Sequence, residues 1–193
     1  MTGLRNTMFD GPHIGVVTDP SWLLAPLYAR DCAGMSPAGG LPGPLEPSAG
    51  QVSLDADLVV AATADWPAWW NAATEFRPGP PAPRTLDLVH FSAPLTELWK
   101  PVERSFDGWR RSRPPAPAPA HDEARVVEHQ LLDGFAAAQG RDPAPRTLRI
   151  LQIPVSGSYL MSPAEGMLIV SADLRQNPDA WSAALGPLLP QHF

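Results

Sequence analysis

The sequence predicts an α+β fold: a single mixed β-sheet of about five strands, with packed helices and long Pro/Gly-rich loops. Three observations predict it. Short apolar runs of strand length alternate along the chain with segments of helical periodicity. The stretch Arg146–Ala172 holds three such runs in quick succession, a pattern of antiparallel neighbours rather than of pure parallel winding. Fifteen glycines and 25 prolines commit much of the length to loop. With 193 residues, the chain is expected to form a single globular domain over 1–193.

The elements follow in order. His13–Thr18 is a short apolar run and a first strand. Asp19-Pro20 then offers an N-cap and a proline at the first helical position, opening a helix to about Ala33. Pro26 removes an internal hydrogen bond there, so the helix is expected kinked or short. Loop 34–50, G-M-S-P-A-G-G-L-P-G-P-L-E-P-S-A-G, is too dense in breakers for a regular element. Loops of this length are typically lids, binding loops or linkers. Asp57–Thr63, D-L-V-V-A-A-T, reads as a buried strand, and Asp65-Trp66-Pro67 as the start of a helix to Phe76. Thr85–Phe91 reads as a strand. Leu95–Trp109 is the clearest amphipathic pattern, with Leu95, Leu98, Trp99, Val102, Phe106 and Trp109 on one face and a break expected at Pro101. A Pro-rich spacer at 114–120 leads to a helix over His121–Gln139, whose stripe is Ala124, Val127, Leu131, Phe135 and Ala138. Arg146–Val155 is a strand, Ser156-Gly157-Ser158 a hairpin turn, and Tyr159–Met161 its return. Met167–Ala172 is a buried strand, and Asn177-Pro178 opens a last helix to Leu185.

P-A-P-R-T-L occurs at Pro81–Leu86 and again at Pro143–Leu148. A fainter echo links Leu58–Trp70 with Leu168–Trp181. Together they raise a strand-and-helix pseudo-repeat, 57–92 and 143–189, against chance in an Ala/Pro-biased chain.

Composition excludes several classes. A net charge of −6 disfavours nucleic-acid binding, which depends on neutralising phosphates. No stretch approaches the roughly 18 apolar residues of a membrane span. The N-terminus lacks the basic-then-apolar pattern of a secretory signal. Cys32 is the sole cysteine, so neither an intrachain disulfide nor a cysteine-held zinc is expected. These features point to a cytoplasmic protein. One lysine against thirteen arginines points to a GC-rich bacterial genome.

The chemistry-bearing motifs are few. H-D-E-A-R-V-V-E-H at His121–His129 is not a zinc-protease helix: its imidazoles stand eight residues apart, roughly 12 Å along a helix. Ser156-Gly157-Ser158 is not a nucleophile elbow. Cys32 reads as a small buried hydrophobe. No phosphate loop, dinucleotide fingerprint or calcium loop is present, and no cofactor or metal is expected. The general-base candidate is His90, with Asp87, Asp65 or Glu123 to orient it. The other constellation is aromatic. Seven tryptophans exceed what a core of this size needs. Trp66, Trp69 and Trp70 share a helical segment, but adjacent indoles differ by about 100° around it, so at least one of the pair 69/70 is expected near the surface. With Trp99 and Trp109 they suggest a contact surface for a protein partner or a hydrophobic small molecule. Two functions are therefore expected: a cytoplasmic accessory or protein-interaction module using a Trp-rich surface, or a small hydrolase- or isomerase-type enzyme acting on an aromatic or hydrophobic molecule through a His base.

Overall fold

The computed structural model describes residues 12–18, 20–77, 92–114, 122–139 and 146–193. The fold is α+β, with one mixed sheet of four strands among the described residues: β1 (His13–Val17), β2 (Thr147–Ile153), β3 (Leu160–Ala164) and β4 (Met167–Ser171). The spatial order is β1-β2-β4-β3. β1/β2 and β2/β4 run parallel, and β3 runs antiparallel to β4.

β3 does not return onto β2 as the hairpin reading expects. The Ser156–Ser158 turn instead carries the chain past the place β4 occupies. Gly166, at φ 71°, then folds β4 back between β2 and β3. The burial pattern explains the order. All five residues of β4 are buried, so it needs neighbours on both edges and both faces. β3 contains Pro163 and an exposed Ser162, which suit an edge.

Alternation along β2 and β4 divides the core in two. Leu148, Ile150, Leu168 and Val170 face one layer, made of α4 (Glu123–Gln139), α5 (Ala172–Gln176), α6 (Pro178–Leu185) and the terminal α7 (Leu189–His192). Leu151, Ile153, Met167 and Ile169 face the other, made of α1 (Ser21–Cys32), α2 (Ala56–Glu75) and α3 (Ala93–Ser112). Among the described residues no helix is long and apolar enough to cross a membrane.

α2 corrects the sequence reading most. Asp57–Thr63 is not a strand, and no separate helix starts at Trp66. One helix runs through both, past Pro67. The Asp55 side chain caps it by accepting from the Leu58 amide at 3.0 Å. Val60 is 71% exposed, which a buried strand would forbid. The Leu58–Trp70 echo is thus helical where Leu168–Ser171 is a strand, so these two stretches are not equivalent units. Thr85–Phe91 and the first P-A-P-R-T-L lie outside the described residues, as does most of 114–120.

α1 runs twelve residues through Pro26, and α3 continues through Pro101. The six apolar positions expected on α3 are all buried. On α4 the buried line is Ala124, Glu128 and Leu132, while Val127, Leu131 and Phe135 are half-buried. Apart from an isolated bridge between Leu45 and Val155, loop 34–50 has no regular element, yet it is tied down. Arg30 donates to the Pro42 and Gly43 carbonyls at 2.6 and 2.7 Å, and the Leu45 amide donates to Asp31 Oδ2 at 2.7 Å. Leu45 itself is buried. The loop is a strap on the core rather than a lid.

Candidate functional site

The centre of the expected acid–base group falls outside the part of the chain that is described. His90 and Asp87 lie outside the described residues. Asp65 is half-buried on α2, and Glu123 is exposed in the first turn of α4. Cys32 is fully buried against Tyr28 and Ser105, and burial pushes its thiol up, away from the reactive thiolate. Among the described residues no three of His, Cys, Asp and Glu converge in a metal-ligating group.

The nominated tryptophans form core, not surface. Trp66, Trp69, Trp70, Trp99 and Trp109 are between 0% and 8% exposed. The expectation of an exposed member of the 69/70 pair fails because α2 has two helical neighbours. It packs against both α1 and α3, which widens its buried face well beyond a single stripe. Trp66 stacks on Trp70 at 5.8 Å and donates its indole N–H to the Pro26 carbonyl of α1. Trp69 meets Trp99 of α3 edge-on at 5.6 Å. Trp109 donates to the Pro47 carbonyl and so holds the strap. Trp22, not singled out from sequence, is only half-buried. Its ring meets Phe76 at 5.9 Å, and its indole N–H has no partner among the described residues.

Among the described residues, three places where polar side chains converge stand out. The first is a buried ion cluster on the α4 side. Arg175 donates to Glu128 at 2.9 Å, to Asp122 at 2.8 Å and to Gln152 at 2.9 Å, and Trp181 also donates to Glu128. Hydrogen bonds and charge from Glu128 and Asp122 raise the Arg175 pKa against the opposing effect of desolvation. The apolar stripe expected for α4 does not include Glu128. The signal available was the spacing of Glu128, four residues from both Ala124 and Leu132. The second is a cleft of about 290 Å³ between the end of α1 and the strap, lined by Arg30, Asp31, Met35 and Leu41. Its charged groups are already committed to the strap's backbone.

The third is a cleft of about 340 Å³ at the start of β2 and β4, lined by Arg77, Thr147, Arg149, Glu165, Gly166 and Met167. Arg149 shares its face of β2 with Leu151 and Ile153, which are buried under the α1–α3 layer. Arg149 itself is exposed, so the helices leave this half of the face open. Gly15, its neighbour on β1, fits that opening: among the described residues, a Cβ there would meet only Thr147 Cγ2, at 3.9 Å. Arg77, at the end of α2, donates to the Thr74 and Phe76 carbonyls and keeps its other N–H groups. Glu165 pairs with Arg146 at 3.2 Å. The backbone amide of Arg149 donates to the Gly166 carbonyl at 2.8 Å, but its guanidinium has no hydrogen-bond or ion-pair partner among the described residues. Arg149 went unnoticed in the sequence, where its signal was a cation in the middle of the apolar run T-L-R-I-L-Q-I.

Comparison of the chain with known protein families, with curated proteins and with solved structures found no match.

Proposed function

We propose that the protein is a cytoplasmic interaction module that holds a protein partner without transforming it, and that its contact surface is the Arg77–Arg149 cleft rather than the buried tryptophans. One observation carries this reading. A guanidinium stands exposed on a central strand, inside a cleft, with no partner among the described residues. A structural arginine normally satisfies itself with carboxylates, as Arg175 does here. The surroundings support a protein contact. Arg77 follows Phe76 directly, and Phe76 leans on the half-buried Trp22. Arginine and tryptophan are the residues most enriched where interfaces concentrate their binding energy. The single, buried Cys32 and the arginine-for-lysine bias fit a bacterial cytoplasm.

The test is affinity capture from the lysate of the organism that makes the protein, using the full chain, Arg149→Glu and Arg104→Glu. Arg104 is exposed on α3, away from the cleft lining. Proteins retained by the wild type and by Arg104→Glu but lost by Arg149→Glu support the reading. The same retained set for all three chains, or none for any, overturns it.

A further inference from the structure

We infer that the cleft receives an acidic segment of the partner, with Arg149 and Arg77 each pairing with a carboxylate. This deepens the function proposed above and rests on it.

Charge segregation is the first argument. The chain carries −6 overall, yet the cleft presents the guanidiniums of Arg77 and Arg149, and Glu165, the one carboxylate lining it among the described residues, is already paired with Arg146. An acidic molecule with a locally cationic cleft selects an anionic occupant and repels others from the rest of its surface. Geometry is the second. A guanidinium is a planar fork that matches a carboxylate with two parallel hydrogen bonds. Arg149 can offer that fork because its guanidinium has no partner among the described residues. Among the described residues the space above Gly15 is open, and Thr147 beside it adds a hydroxyl to the lining.

Two features favour carboxylates on an extended chain over a compact phosphate. The guanidiniums come from separate elements, just past α2 and near the start of β2, rather than converging with backbone amides on one point. Phosphate sites typically draw on the free amides of a helix N-terminus, whereas α2 reaches this cleft with its C-terminal end, which offers none.

The experiment uses the full chain and a fluorescently labelled Glu-rich peptide, followed by anisotropy. A Gln-rich peptide of equal length serves as the neutral comparison, and inorganic phosphate as competitor. The Glu peptide is expected to bind about tenfold more tightly than the Gln peptide, and to weaken as salt rises. Arg149→Gln and Arg77→Gln are each expected to lose about tenfold, as the removal of one charge-assisted pair implies, and Arg149→Lys to regain part of it. Arg104→Gln is expected to bind as the wild type does. Unfolding midpoints of all four variants confirm that the exposed substitutions leave the fold intact. Equal binding of the two peptides, or undiminished binding by Arg149→Gln, overturns the inference. So does displacement by phosphate at concentrations where chloride of equal ionic strength has no effect. If Arg149→Glu still loses its captured proteins while the Glu peptide fails to bind, the acidic segment is refuted and the contact surface stands. If neither depends on Arg149, both fall.

Discussion

Replacing Glu128 by Gln tests the energetics of the buried ion cluster. The wild-type carboxylate accepts from Arg175 Nε at 2.9 Å and from Trp181 Nε1 at 3.2 Å. The side chains of Glu128 and Arg175 are each only 4% exposed. Removing one partner from a buried ion pair costs about 3–5 kcal/mol, most of it the penalty of the charge left behind. Here Arg175 would retain Asp122 at 2.8 Å and Gln152 at 2.9 Å, which places the loss at the low end, about 3 kcal/mol. For a chain of this length that corresponds to a fall of about 6–12 °C in Tm. Urea unfolding followed by far-ultraviolet circular dichroism measures it. The companion variant Glu128→Leu with Arg175→Met removes both charges, and should recover most of the stability that Glu128→Leu alone loses. A Glu128→Gln protein within about 0.5 kcal/mol of wild type would refute the reasoning. A double variant no better than Glu128→Leu would do the same.

Two further predictions concern the strap and the C-terminus. A Cβ at Gly43 would stand 2.2 Å from the Ser156 carbonyl oxygen, so Gly43→Ala should cost about 1–3 kcal/mol, whereas Gly50→Ala, with open space around it, should be neutral or slightly stabilising. Equal unfolding midpoints for the two variants would contradict this. His192 accepts from the Gly166 amide through Nδ1, and burial holds its pKa below the usual 6.5. The unfolded chain therefore binds the proton more readily, so this residue's contribution is fully present above about pH 6.5 and declines as pH falls toward the lowered folded value. His192→Gln should flatten the slope of unfolding free energy against pH just below 6.5, and an unchanged slope would exclude His192 as its source.

Much of the architecture was legible because periodicity reports burial directly. Leu95 to Trp109 reads as an amphipathic helix and is one, since the stripe and the burial coincide. The failures have physical causes. Val59 and Val60 are β-branched, so D-L-V-V-A-A-T resembles a strand, but the capped Asp55 and the packing of α2 between two helices outweigh that local preference. Pro67 and Pro101 read as boundaries, yet both lie inside helices whose packing tolerates one missing amide. β4 in the middle of the sheet could not be deduced from order along the chain, because strand pairing is a tertiary choice. The candidate site was the least legible part. Exposure of an arginine is not encoded in its neighbours. Arg149 and Arg175 both sit near apolar residues, and only the fold separates the satisfied one from the open one.

The sharing of indoles between the two sides of the sheet has a spectroscopic consequence. Six of the seven belong to the α1–α3 side, and Trp181 alone sits on the other. Within the larger group the rings lie close enough to exchange excitation, Trp66 with Trp70 and Trp69 with Trp99. Intrinsic emission will therefore follow the melting of one half of the molecule almost alone. A single Trp181→Phe protein, compared with the wild type, would isolate the faint signal of the other half and reveal whether the two sides come apart together or in turn.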